Sequence, residues 1–273
     1  MQNLELQQVG WRLGPDEPPA VEVFNTAGRS KVIFLCDHGS NAIPRALNGL
    51  GLEEHLQYRH IAWDRGTLQL TRHLAARFDA AMVKCGYSRL VIDPNRRPGH
   101  PQSIPEVSDG FEIPGNRKLT GAEIRYRMNA FFKPYHRAID KRIRHMRERR
   151  LIPAIVSIHS FTPALRCNTP RPWQVGVLWN RDPRMAVPLI DRLEQFPGVC
   201  VGDNQPYHFN SPEGYTLPLH AEGQGYPHVL IEIRKDLINT SEGVHHWAGV
   251  LIEALEGIIS DRKLYRVEHY KNE

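Results

Sequence analysis

The chain has 273 residues, 41 % of them hydrophobic and 24 % charged, with a formal net charge of +5. This composition excludes disordered, collagen-like and coiled-coil classes and suits a single elaborated domain over residues 1–273. The basic excess lies in one stretch from Arg137 to Arg150 without interleaved aromatics, which reads as a solvated helix face and not as a nucleic-acid surface.

Six short, nearly continuous apolar runs predict buried strands: Lys31 to Cys36, Ala81 to Lys84, Arg89 to Asp93, Ala154 to His159, Gln174 to Trp179 and His228 to Arg234. Helices fall between them. One follows Asp64, with Leu70, Leu74 and Phe78 on one face. A second opens on a Thr120/Glu123 capping box and carries an apolar stripe of Ile124, Met128, Phe131 and Phe132, after which Pro134 is expected to kink or break it. Asp182 followed by Pro183 caps a third, with Val187, Ile190 and Leu193 on one face, and a long helix starts near Ser241. Strands alternating with helices predict a three-layer α/β/α sandwich around a mostly parallel or mixed sheet, with ligand sites at the carboxyl ends of its strands. Two long segments, Pro94 to Asn116 and Gly202 to Gly225, are loops of a length that usually serves function.

Cys36, Cys85, Cys167 and Cys200 form no CxxC pair, so neither a thiolate zinc site nor a disulfide framework is indicated, and reduced, mostly buried thiols are expected. No basic leader with an apolar stretch opens the chain, and no apolar run reaches the ~18 residues of a membrane span. A cytoplasmic protein without membrane or nucleic-acid partners is expected; oligomerisation is left open.

Two of the predicted strands end in histidine followed by small polar residues, at Asp37-His38-Gly39-Ser40-Asn41 and at His159-Ser160-Phe161-Thr162. Two imidazoles and one carboxylate are the usual protein ligands of a catalytic zinc. Asp64, set among apolar residues at a helix start, is the chosen third ligand, with a helix-capping carboxylate as the alternative. Glu232 and Arg234 lie on the same side at the end of an apolar strand, where Glu232 suits a general base and a structural salt bridge is the alternative. Arg89, Asn95 and Arg96 border a further predicted strand; the arginines suit an acidic substrate, or Arg89 could brace Asp93. His220, in the loop before the Glu232 strand, and Thr162 complete the candidate site. Phosphate-loop, HExxH, GxGxxG and GxSxG motifs are all lacking.

Six segments in this order resemble the N-formylglutamate amidohydrolase family: His38-Gly39-Ser40-Asn41-Ala42-Ile43-Pro44, Asp64-Arg65-Gly66, Ser88 to Arg96, Pro134-Tyr135-His136, His159 to Pro163, and Ile231-Glu232-Ile233-Arg234. The resemblance implies a fold similar to zinc carboxypeptidases and related phosphorylase/hydrolase-like sandwiches. It implies a divalent-metal amidase, zinc foremost, that hydrolyses N-formyl-L-glutamate or a similar small acidic N-acyl amino acid, as in histidine breakdown; the alternatives are a related metallo-deacylase for another N-acyl amino acid or peptide, and a metal-free binding protein that keeps the fold without the chemistry. His38 and His159 are then metal ligands and Glu232 the catalytic carboxylate. Where carboxypeptidases carry a Glu three residues after the first His, this chain has Asn41, a poor zinc ligand, which is why Asp64 is preferred.

Overall fold

The computed structural model describes residues 11–164, 170–207, 209 and 214–270. Its centre is a seven-stranded mixed sheet in the order β1-β3-β2-β6-β9-β7-β8. The strands are β1 (Val21–Phe24), β2 (Val32–Cys36), β3 (Ala81–Cys85), β6 (Ala154–Phe161), β7 (Val175–Leu178), β8 (Val201–Asp203) and β9 (His228–Arg234). β3, β2, β6 and β9 run parallel, whereas β1 on β3 and β7 on β9 are antiparallel. A two-stranded hairpin, β4 (Val107–Ser108) and β5 (Phe111–Glu112), lies apart from this sheet, inside the long segment predicted as a loop.

Helices cover both faces, giving the expected three layers. Val32, Phe34 and Cys36 of β2 pack toward α1 (Thr67–Arg77), α4 (Pro183–Leu193) and α6 (Ser241–Ser260) in one cluster. Ile33 and Leu35, pointing the other way by strand alternation, pack toward α3 (Lys133–Glu148) and α5 (Thr216–His220). The predicted caps are present: Thr120 and Glu123 close a reciprocal box on α2 (Gly121–Arg127), and the Asp182 side chain accepts from the Arg184 N–H at the start of α4. Ile124 and Val187, each expected on a buried stripe, are instead 40 % exposed, and Met185, Ala186, Leu189 and Leu193 form the buried face of α4.

Three expectations are corrected. Arg89 to Asp93 is not a strand. Its apolar residues are buried because an interior loop packs Leu90, Val91 and Ile92 into two side clusters. Local bonds hold that loop, the Ser88 hydroxyl accepting from Leu90 N–H and donating to the Ala62 carbonyl, a side-chain alternative to a sheet ladder. Pro134 does not break its helix. A π-helical turn over Met128–Phe132 joins α2 to α3, and the wider turn places Pro134 at the second residue of α3, where its missing N–H costs little. The edge strands β1 and β8 were not predicted; each is short and contains few buried apolar residues.

The basic residues of α3 lie mostly on its exposed side, while Tyr135, His136, Ile139 and Met146 face the core. Cys36 and Cys85 are free and buried, burial pushing each thiol up to about 12; Cys200 is free but exposed, and Cys167 lies outside the described residues. Among the described residues no helix is long and apolar enough to cross a membrane.

Candidate active site

Parallel β2, β6 and β9 end side by side, and their carboxyl ends carry the site. His38 follows β2, His159 lies near the end of β6, and Glu232 is its register partner on β9. Asp64 arrives from the connection to α1. Its backbone N–H donates to the His38 carbonyl at 2.9 Å, and the Thr67 hydroxyl donates to the Asp64 carbonyl at 2.6 Å. Gly66 makes the turn possible: its φ is +90°, and a Cβ there would lie 2.0 Å from the Ile238 carbonyl oxygen.

His38, Asp64 and His159 are each 3 % exposed, and one ligand atom from each lies within 4.8 Å of the others. Asp64 Oδ2 is 3.5 Å from His38 Nδ1 and 3.3 Å from His159 Nδ1. The outer nitrogens are held by carboxylates: His38 Nε2 lies 2.7 Å from Asp93 Oδ1, and His159 Nε2 lies 3.1 Å from Asp37 Oδ2 and 3.1 Å from the Ser157 hydroxyl. A metal-bound imidazole characteristically has this outer carboxylate, which fixes the tautomer and leaves the inner nitrogen bare. His38 Nδ1 is buried without a hydrogen-bond partner, and so is Glu232 Oε2. The bare His38 nitrogen suits a cation held with Asp64 and His159. Asn41 does not join the group; its amide donates to the Gln57 carbonyl at 3.2 Å.

Charge points the same way. Burial opposes ionisation of Asp64, but Arg89 and the two imidazoles outweigh it and hold the carboxyl well below the usual range. Asp37 and Asp93 are likewise lowered against burial, Asp37 chiefly by His159 and Asp93 chiefly by His38 and Arg96. Despite its own burial, His159 is raised to about 10, Asp37 and Asp64 being its principal partners. The carboxylates of Asp37, Asp64, Asp93 and Glu232 thus create a strong demand for positive charge. Glu232 is pushed up to about 7 by burial, into the range where a carboxyl can both take and return a proton near neutrality.

The site opens into a cavity of about 490 Å3 lined by Asp37, His38, Asp64, His159 and Glu232, with Arg89, Asn95 and Arg96 also in its lining. Arg89 donates to Asp64 Oδ1, so its carboxylate partner is the candidate ligand and not Asp93. Asn95 uses its side-chain oxygen to accept the N–H groups of Tyr215 and Thr216, both at 2.9 Å. Arg96 donates to the Asn95 carbonyl at 3.0 Å.

Three candidates fall outside the lining. His220 is buried between His136, 2.8 Å from its Nε2, and Asp140, 3.0 Å from its Nδ1, so both ring nitrogens are engaged away from the cavity. Arg234 emerges on the same side of β9 as Glu232, as alternation requires, but continues past the strand end to Asp236 and the carbonyls of Pro172 and Trp173. Thr162 accepts from Arg171 through its carbonyl and hydroxyl. The supporting carboxylates of Asp37 and Asp93 and the Tyr135 hydroxyl that donates to Asp37 were not singled out from sequence. Asp37 and Asp93 stood in quoted motifs, but their roles depend on contacts across 122 and 55 residues of chain.

The family model for N-formylglutamate amidohydrolase matches residues 30–239. The chain belongs to this family. It is accordingly a hydrolase acting on a linear amide bond. A solved gene product of Agrobacterium tumefaciens is 35 % identical, with a TM-score of 0.87 over 91 % of this chain and 98 % of that one. An N-formylglutamate amidohydrolase from Ralstonia eutropha JMP134 is 16 % identical, with a TM-score of 0.66 over 89 % of this chain and 98 % of that one, a likeness that shows the shared fold. No curated protein matches the chain.

Proposed function

We propose that this amidohydrolase depends on a divalent metal, zinc in the first instance, and cleaves the acyl amide of a small acidic N-acyl amino acid, with N-formyl-L-glutamate giving formate and glutamate. The observation that carries this reading is the convergence of His38, Asp64 and His159 beside Glu232 in one buried cavity mouth. The three convergent side chains would hold the ion, with their outer partners Asp93 and Asp37 fixing the imidazoles. Such an ion, when bound, polarises an amide carbonyl and acidifies water.

The chain's own residues supply the rest. Glu232 takes the proton of the attacking water and delivers it to the departing nitrogen. Arg96 and Asn95 face the substrate carboxylate, while Arg89 keeps Asp64 ionised and oriented. One domain over the whole chain, a cytoplasmic setting and a part in histidine breakdown belong to the same proposal.

The test is formate release from N-formyl-L-glutamate by protein stripped of metal and reloaded with zinc. About one equivalent of tightly held zinc is expected, with activity lost on chelation and restored on reloading. Full activity without metal would overturn the metal reading, and turnover confined to other N-acyl amino acids would overturn the formylglutamate assignment.

A further inference from the structure

The Pro134-Tyr135-His136 segment is one of the six that carry the family likeness, yet it takes no part in the proposed chemistry. It lies in the first turn of α3, and its Tyr135 packs in one cluster with Ile33 and Leu35 of β2 and Ile155 of β6. Strand alternation continues those faces to Asp37 just past β2 and to Ser157 and His159 on β6, Ser157 being the register partner of Leu35. The helix therefore meets the site from behind His159. There the Tyr135 hydroxyl donates to Asp37 Oδ1, while Asp37 Oδ2 lies 3.1 Å from His159 Nε2 and 3.5 Å from the Ser157 hydroxyl. One residue on, His136 Nε2 lies 3.0 Å from the Pro94 carbonyl, which ties the same turn of helix to the loop carrying Asp93.

Rotation of an aspartate about its last bond is broad, so the rotamer of Asp37 does not by itself fix the plane of its carboxylate. Partners on both oxygens do. At 1 % exposure for Asp37 and 0 % for Tyr135, the pair is out of reach of bulk water. Resting on the reading of His38, Asp64 and His159 as a metal centre, we propose that Tyr135 is a positioning residue for that centre. By holding Asp37 Oδ1, its hydroxyl fixes the plane in which Oδ2 receives the His159 Nε2 proton, and so keeps His159 Nδ1 turned toward Asp64 and the ion. Without the hydroxyl, Oδ1 is a buried acceptor left bare and the carboxylate is free to turn. The consequence is weaker metal binding.

The test compares Tyr135→Phe with Tyr87→Phe. Tyr87 is likewise buried, but it lies outside the cavity lining and its hydroxyl donates to the Pro18 carbonyl at 2.7 Å. Both variants should lower the urea midpoint of metal-free protein. Only Tyr135→Phe should weaken zinc binding, by about tenfold in competition with a chromophoric chelator. In Asp37→Ala, which has no carboxylate to orient, adding Tyr135→Phe should cost no further affinity; the same loss in both backgrounds would overturn the inference. An equal loss of zinc affinity in Tyr87→Phe would overturn it too, as a general effect of destabilisation. Unchanged affinity in Tyr135→Phe, with zinc held normally by the wild type, overturns this inference alone, whereas a wild type that takes up no zinc overturns the metal reading with it. Should Tyr135→Phe fail to fold, the wild type decides through the proton resonance of the buried Tyr135 hydroxyl. That resonance should shift on zinc loading, and one indifferent to zinc overturns the inference.

Discussion

Asp93 Oδ1 lies 2.7 Å from His38 Nε2, and this contact turns His38 Nδ1 toward Asp64 and His159. Asp93→Asn keeps the shape but removes the charge that makes the imidazole a stronger ligand. Zinc affinity, measured by competition with a chromophoric chelator, should fall about 10- to 100-fold with the fold unchanged. Wild-type affinity in this variant would remove Asp93 from the metal centre.

Glu232→Gln preserves size and hydrogen-bonding capacity but cannot accept the water proton. Turnover should fall by about 10²- to 10⁴-fold, while zinc content stays at the wild-type level. Loss of zinc together with activity would instead place Glu232 among the ligands.

His136 ties the site loop to α5, with Nε2 3.0 Å from the Pro94 carbonyl and Nδ1 2.8 Å from His220 Nε2. Burial, reinforced by His220, pushes its pKa down to about 4 from the ordinary 6.5. Above pH 6.5 it is neutral folded and unfolded alike. Between 6.5 and 4 the unfolded chain takes up a proton that the folded state resists, so stability falls as the pH falls, by on the order of 3 kcal/mol at pH 4. The lowered aspartates act in a lower window, losing their contribution only as pH drops through and below their ordinary 3.8. Urea midpoints of metal-free protein from pH 7 to 4.5 should therefore decline less steeply in His136→Gln than in wild type. Equal slopes would assign the acid sensitivity of this window to other groups.

Arg127 is 1 % exposed, and its guanidinium donates to the carbonyls of Val91 and Gly115 at 3.0 and 3.1 Å and to Asn116 Oδ1 at 2.7 Å. It thereby braces the loop that presents Asp93 and Asn95. Arg127→Met should destabilise the protein by about 1–3 kcal/mol for each buried acceptor left bare, read as a lower urea midpoint. Arg127→Lys should recover only part of this, since an ammonium cannot reproduce the planar fork. An unshifted midpoint in Arg127→Met would show that water or neighbouring groups replace the guanidinium.

Much of the fold can be read from residue order because its physics is local. Apolar runs such as Val32–Cys36 and His228–Arg234 are strands buried on both faces, and the Thr120/Glu123 and Asp182 caps satisfy helix-end N–H groups within a few residues. The same signal misleads at Arg89 to Asp93, because burial against a neighbouring cluster and burial within a sheet select the same side chains. His220 and Arg234 lie outside the cavity lining for a related reason. Sequence spacing gives the face of a strand or the neighbourhood of a loop, but not the Asp140, His136 or Asp236 that draws the side chain away.

Residue order by itself determined the layered α/β class, the family, and the two strand-terminal histidines with a carboxylate as candidate ligands. Only the tertiary structure decided that Asp64 and not Asn41 meets those histidines and that Asp93 and Asp37 stand behind them. These are distances between side chains far apart along the chain, set by the parallel pairing of β2, β6 and β9 and by the packing of the loops that cross their ends.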